Sequence, residues 1–376
     1  MFPKNAWYVA AISREIKDRG VLSRTICELP LALYRAQDGT VGALLDRCPH
    51  RLFPLSKGEV TQDGLRCGYH GLAFAADGRC THIPSQDEIP PNARVAAYPV
   101  RESHGLIWLW PGDPALAQNT PLPAFETGPG YLSGLDFSCL DESDKWGVAG
   151  PHLIEVDANY MLAVDNLLDL THVAFIHAKT FDNSAILGSE RITKTVGENQ
   201  LIDFFRFKNP MSAPLRAAYM LDQDIPLYDS FLETYWHAPG TMILVHGATP
   251  ERADREESGT IVMGINAITP ATRTSCHYFW SQAVYRNLRG GAVRDAWEIA
   301  TRNAFAEDEH ALRTQQHNLE RFGMRELSDG VSLMLKSDKA ITLARRTIAR
   351  LVKDETRGSR LNSSRDNNEG NCNDVA

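Results

Sequence analysis

Between residues 48 and 70 the chain carries the two short motifs that most restrict its fold, Cys48-Pro49-His50-Arg51 and Cys67-Gly68-Tyr69-His70. Sixteen residues separate His50 from Cys67, so the pattern is C-x-H followed by C-x-x-H. Two thiolates and two imidazoles suit a structural zinc ion. They also suit a [2Fe–2S] centre in which two imidazoles replace two thiolates on one iron. Three features favour iron–sulfur. The first pair is C-x-H, where a zinc finger usually has two cysteines. Each loop mixes one Cys with one His, so each can give one ligand to each iron. Pro49, Gly68 and Gly71 suit tight loops that turn backbone N–H groups towards cluster sulfurs. Cys27, Cys80, Cys139, Cys276 and Cys372 lack such partners and read as ordinary thiols.

Around these loops, residues 1–135 read as all-β. Runs of β-formers (Leu31–Tyr34, Val41–Leu45, Gly105–Trp110) alternate with turn signals at Asp38-Gly39, Asp63-Gly64 and Asp77-Gly78. Further on, the apolar, helix-like run from Asp165 to His177 brings Asp169, His172 and His177 within nine positions. Two imidazoles with a carboxylate are the ingredients of a mononuclear iron site with open positions. Residues three apart on a helix are neighbours, so Asp169 can touch His172. Residues five apart point about 140° away from each other. His172 and His177 therefore share an ion only if the helix kinks, bulges or ends between them. The alternative is an amphipathic helix with two hydrogen-bonded histidines.

A helix predicted from about Ala292 to Glu320 offers the remaining carboxylate. Measured from Trp297, positions Thr301, Ala304, Asp308, Ala311 and Gln315 share one face at ~100° per residue. That spacing selects Asp308 over Glu307 and Glu309; Glu307 is the alternative if the register slips by one. The competing reading is a solvated acidic face. Strands are expected at Leu201–Lys208, Phe231–Trp236, Met242–Val245, Ile261–Ile268 and Ser275–Ser281, and residues 136 to about 160 read as a link. His237 and His277 lie in such strands beside aromatic residues. With Asn166 and Asn159 they are candidate substrate contacts, each weighed against a buried, hydrogen-bonded structural role.

The 376 residues suffice for two domains, here 1–135 and 136–350. Residues 351–376, rich in Ser, Asn, Asp and Gly from Arg357 on, are expected to form a disordered tail. A net charge of -8 argues against a nucleic-acid partner. Seven scattered cysteines do not form a secreted disulfide framework. The first residues lack the apolar core of a signal peptide, and no apolar run approaches the ~18 residues of a membrane span. The expectation is a cytoplasmic protein.

These motifs resemble those of the Rieske non-haem iron oxygenases, particularly the vanillate O-demethylase and dicamba monooxygenase branch. The resemblance rests on Asn5-Ala6-Trp7-Tyr8-Val9-Ala10, the two Cys–His loops with Gly71-Leu72, Ile107-Trp108-Leu109-Trp110-Pro111-Gly112-Asp113, and Val164 through His177. It extends to about residue 350 and is loose between 180 and 290. It implies an α+β fold, in which an all-β Rieske domain precedes a helix-grip catalytic domain with a curved antiparallel sheet and helices. It implies a [2Fe–2S] cluster with Cys48 and Cys67 on one iron and His50 and His70 on the other. It implies one Fe(II) held by His172, His177 and Asp308. By the same resemblance Asp169 links His70 and His172 through their free ring N–H groups, across subunits of a homotrimer. Electrons come from a separate NAD(P)H-dependent flavin and iron–sulfur reductase. The implied reaction uses O2 to hydroxylate a methoxy group of an aromatic acid, giving a phenol and formaldehyde. Aromatic-ring dihydroxylation, simple C-hydroxylation and a pure Rieske electron carrier are the alternatives. The two-His, one-carboxylate set argues against the carrier.

Overall fold

Ten short strands occupy the first 110 residues of the computed structural model, which describes residues 2–125, 137–141, 146–209, 211–251, 259–285, 290–326, 329 and 333–369. They form three antiparallel sheets. The first joins β1 (Tyr8–Ile12), β10 (Leu106–Leu109) and β9 (Val100–Ser103). The second joins β2 (Val21–Ile26), β3 (Leu29–Arg35) and β4 (Val41–Leu45). The third, made of β5 (Glu59–Thr61), β6 (Gly64–Arg66), β7 (Ala73–Phe74) and β8 (Cys80–His82), carries the second Cys–His loop between β6 and β7. The domain boundary expected at residue 135 lies outside the described residues.

The second half is built on one seven-stranded antiparallel sheet in the order β11-β17-β16-β15-β14-β13-β12. Its strands are β11 (Trp146–Val156), β12 (Glu190–Val196), β13 (Gln200–Asn209), β14 (Tyr228–His237), β15 (Thr241–Pro250), β16 (Thr260–Thr272) and β17 (Ser275–Tyr285). β16 is buried along nearly its whole length, as expected of an inner strand covered on both faces. Alternation along it shows what covers each face. Ile261, Met263, Ile265 and Ala267 pack in a core shared with Trp7, Val9 and Trp108 of the first domain. Val262 packs instead with Val293 and Trp297 of the long helix. Hydrogen bonds to backbone carbonyls reinforce the domain contact: Cys27 N–H donates to the Pro270 carbonyl (2.8 Å), and the Thr269 hydroxyl donates to the Val9 carbonyl (2.7 Å).

Among the described residues, four α-helices complete the second domain: α1 (Tyr160–Leu168), α2 (Ala213–Ala218), α3 (Gly290–Arg321) and α4 (Lys339–Glu369). α3 buries Trp297, Thr301, Ala304 and Asp308 as its spacing predicts. Beyond Asp308 the buried line shifts to Leu312, Gln316 and Leu319, so Ala311 and Gln315 face a surface groove instead. Among the described residues no helix is long and apolar enough to cross a membrane.

Two expectations are corrected. β11 runs through the middle of the span read as a link; Gly147, Gly150 and Pro151 hide the strand pattern, and Gly150 and Pro151 coincide with a break in its pairing to β17. The first part of the expected tail, from 351 through Glu369, is helical, and its remainder, 370–376, lies outside the described residues. Ala340, Ala344 and Ile348, one turn apart, bury the start of α4. Glu355 extends its anchorage by accepting the backbone N–H groups of Lys4 (2.9 Å) and Asn5 (2.7 Å).

Candidate functional site

The Cys–His loops form one tip. Cys48 and Cys67 are buried and hydrogen-bonded to each other, and the backbone N–H groups of His50 and Arg51 point at Cys48 Sγ. Each loop is closed across its mouth, by Cys48 N–H to the Phe53 carbonyl (2.9 Å) and Cys67 N–H to the Leu72 carbonyl (2.8 Å). Glycine is required twice. Gly71 has φ +76°, and a Cβ on Gly68 would come within 2.8 Å of the Lys57 carbonyl oxygen. The imidazoles of His50 and His70 are exposed, with ring centroids 4.5 Å apart. Burial pushes the Cys48 thiol up to about 11. A coordinating metal reverses this, since it deprotonates the thiol. Buried sulfurs, inward amides and paired imidazoles fit a Rieske cluster.

The second centre forms where α1 stops. Asp169 has left helical geometry, at φ -121° and ψ 83°, and its Oδ1 accepts Thr171 N–H (3.2 Å) and the Thr171 hydroxyl (2.7 Å). Asp and Thr readily form such local caps, which is why the helix gives way here to a 3-10 turn, Leu170–Ala174. The change of geometry brings His172 and His177 together, with ring centroids 5.1 Å apart. Asp308 arrives from α3, and one ligand atom from each of the three residues lies within 4.8 Å of the others. Asp308 Oδ1 is 3.5 Å from His172 Nε2 and 3.3 Å from His177 Nε2.

The other ring nitrogens are held from outside. His172 Nδ1–H donates to the Asp169 main-chain carbonyl (2.6 Å), and His177 Nδ1–H donates to Glu307 Oε2 (2.7 Å). Both bonds leave Nε2 as the free lone pair facing Asp308, the arrangement metal-binding histidines adopt. Burial pulls the His172 imidazole below its ordinary range despite Asp308. Burial acts on His177 too, but hydrogen bonds and charge from Asp308 and Glu307 outweigh it and push this imidazole up. The donor set fits a ferrous ion.

Several candidates take other places than expected. The Asp169 carboxylate does not bond His172; its backbone carbonyl does, because the side chain is occupied in capping. Glu307, the slip alternative, lies outside the triad and supports His177, with Thr180 Oγ1 donating to its other oxygen (3.0 Å). Asn166 donates to Asp308 Oδ1 (2.9 Å), so it positions the carboxylate rather than lining the inner cavity. Asn159 caps α1 by accepting Met161 N–H (2.9 Å). His237 sits beside the Ala238 carbonyl (2.6 Å) at a strand end. His277 Nε2 meets the Thr25 carbonyl (3.0 Å) at the domain contact. Neither histidine reaches the cavity.

That cavity opens on His172, His177 and Asp308 and runs between the sheet and α3. Leu167, Leu170, Leu232 and Leu244 supply apolar wall. An aromatic side leads away from His177 through Phe181 (5.7 Å) and Trp297 (5.6 Å) to Tyr219 and His246, at 4.6 and 4.4 Å from Trp297. Asn183, Asn266, Gln282 and Thr301 add polar groups. His246 is not among the residues expected from the sequence, since the strand predicted there, Met242–Val245, stops one residue short of it. One more residue would have put His246 on the same face as Leu244.

A Rieske [2Fe-2S] domain model matches residues 6–99, and a vanillate O-demethylase oxygenase C-terminal domain model matches residues 156–354. The chain is 34% identical over 364 residues to the oxygenase component of chloroacetanilide N-alkylformylase from Rhizorhabdus wittichii, covering 95% of this chain and 97% of that one. It is 33% identical to the vanillate O-demethylase oxygenase subunit of a Pseudomonas strain, covering 94% and 95%. The crystal structure of dicamba monooxygenase bound to 3,6-dichlorosalicylic acid superposes with a TM-score of 0.82 at 32% identity, over 94% of this chain and 99% of that one. The chain belongs to the Rieske non-haem iron oxygenases, in the vanillate O-demethylase family. It is the oxygenase component of a Rieske-type monooxygenase, whose cofactors are a [2Fe–2S] cluster and a mononuclear non-haem iron.

Proposed function

We propose that this oxygenase removes a methyl group from an ether oxygen on an aromatic substrate, releasing a phenol and formaldehyde. The observation that carries the proposal is the placement of His172, His177 and Asp308 on the wall of one aromatic-sided cavity. In this reading His172, His177 and Asp308 hold the iron, while Cys48, Cys67, His50 and His70 hold the cluster. When bound, the two groups supply electron transfer and the activation of dioxygen.

The chain's own residues do the rest. The leucines and Phe181 keep water from the reacting carbon, and Trp297 lies against the ring. Asn166 and Glu307 fix the orientation of Asp308 and His177. Asp169 borders a surface groove with His172 and Asn166. In this reading its carboxylate meets His70 of the partner subunit in a homotrimer, while its carbonyl holds His172. Exposure of His50 and His70 supports that docking. Relatives are named as oxygenase components, which supports a separate reductase, proposed to be an NAD(P)H-dependent flavin and iron–sulfur protein. A cytoplasmic location agrees with that partner.

The test supplies the purified protein with a surrogate reductase, NADH and a panel of methoxyarenes. One formaldehyde per phenol is expected, with labelled oxygen from O2 in the departing carbon and the phenol oxygen retained. A product that keeps its methoxy group and gains ring hydroxyls would overturn demethylation in favour of ring hydroxylation.

A further inference from the structure

We infer that Gly264 and Gln282 form a recess that takes a hydrogen-bond donor, an O–H or N–H group, carried by the aromatic substrate across the ring from its methoxy group. This rests on the reading of the cavity as the substrate site. Gly264 lies on β16 directly opposite Leu244 of β15 and Gln282 of β17, and all three line the cavity. Nothing in the backbone requires glycine there. Gly264 is not among the glycines of positive φ. A Cβ on it would meet nothing closer than Gln282 Nε2 at 3.4 Å, Asn266 Nδ2 at 3.7 Å and Gln282 Oε1 at 3.8 Å, all ordinary contacts. Glycine inside a strand gives up packing, and it often marks a place where a ligand comes close. Here the missing side chain leaves room in the cavity wall for a substituent of the ring.

The two amides beside the recess decide what it accepts. Asn266 is engaged at both ends, donating to the Gly264 carbonyl (3.1 Å) and accepting the Tyr278 hydroxyl (2.9 Å). Gln282 is engaged at one end. Its Nε2 donates to Thr301 Oγ1 (3.0 Å), while Oε1 is buried without a hydrogen-bond partner among the described residues. Such an oxygen gains a bond from a donor that enters, and stays unpaired beside a group that has none. Thr301 and Asp308 share the inward face of α3, ~10 Å apart along its axis at about 1.5 Å per residue. The recess therefore lies at the end of the cavity away from the metal triad. A ring with its methoxy carbon at the triad reaches that end with the substituent opposite, not with the one beside the methoxy group.

The test uses the holoenzyme with 4-methoxyphenol, 4-methoxytoluene and 2-methoxyphenol as probes. Binding is measured anaerobically by calorimetry, and formaldehyde is measured with reductase and O2. 4-Methoxyphenol is expected to bind roughly tenfold more tightly than 4-methoxytoluene, which carries a methyl group in place of the donor. It should also bind more tightly than 2-methoxyphenol, whose donor sits beside the methoxy group. Gly264→Ala fills the recess without straining the backbone, and Gln282→Leu removes the acceptor; each should erase the first difference. The wild-type comparison stands whether or not Gln282→Leu folds. Equal binding of 4-methoxyphenol and 4-methoxytoluene to wild type overturns the recess, and formaldehyde released from either leaves demethylation standing. A donor preference that Gly264→Ala leaves unchanged, or one equally strong for 2-methoxyphenol, overturns it too. A preference lost in Gly264→Ala, with no formaldehyde from any probe, supports the recess and breaks the demethylation reading.

Discussion

The two metal-binding regions solve opposite problems. At the cluster tip the thiols are buried and the imidazoles exposed. At the iron site His177 and Asp308 are only 2% and 4% exposed, and the open side faces an inner cavity. A group that hands electrons to a partner needs an edge at the surface. A group that works on oxygen and a substrate needs to be shielded from water. The same contrast appears in the scaffolds: the tip uses two loops close in sequence, β4–β5 and β6–β7, while the iron site joins a helix end to a helix more than a hundred residues later.

The sharpest way to separate the regions is Asp308→Ala. It should abolish mononuclear iron and turnover while leaving the visible spectrum of the cluster intact, as metal analysis beside absorption will check. Loss of both metals would mean that the two sites fold as one unit. Next, Asp169→Asn should keep both metals and cut turnover on the order of a hundredfold. Normal multi-turnover rates in that variant would remove the carboxylate from the path between the regions. Glu307→Gln should weaken iron binding by roughly tenfold to a hundredfold, because His177 loses its charged partner. Competition with a chelator measures this without reference to activity, and an unchanged affinity would make Glu307 a bystander.

The smaller effects concern stability on the iron side. Arg345 on α4 bonds the buried carboxylate of Asp165 on α1 (3.1 Å). Arg345→Met should destabilise by ~3 kcal/mol, since it leaves Asp165 without its cation; chemical denaturation gives the value. His246 supplies a pH effect of definite sign. Its ordinary value is 6.5 and its folded value about 3, so between these the unfolded chain binds a proton that the folded chain does not. This contribution is fully present above pH 6.5 and declines as pH falls towards 3. His246→Gln should therefore flatten the acid side of the stability profile relative to wild type, and parallel profiles would count against a neutral buried imidazole.

Much of both regions was legible in the sequence, for different reasons. The cluster loops declare themselves because all four residues lie within one short segment, and the glycines that permit the turns are adjacent. The iron helix required a geometric condition, an end between His172 and His177, and Asp169 supplies it as a cap. Asp308 followed from helical period alone. The cavity was much less legible, because its residues come from strands, loops and a helix that only tertiary packing brings together. His237 and His277 show the limit: aromatic neighbours in sequence gave no indication of which face, or which end of the strand, each would take. Tail and link misled by composition, since a few buried alanines and long-range bonds outweigh local polarity in α4, and glycine with proline disguises β11.

The shared core between β1 and β16 has a consequence for how this protein can be rearranged. Trp7, Val9 and Trp108 are packed with side chains of the catalytic sheet, and Val9 and Cys27 bond it through the main chain. The cluster domain is thus not a detachable cassette. Cutting it free would turn an interior into a surface, and exchanging it for a relative's domain transplants half of a jigsaw. Recombination that respects this molecule has to carry β1, β2 and their seat on β16 together, so its natural crossover points lie in loops outside the domain contact rather than between the two metal centres.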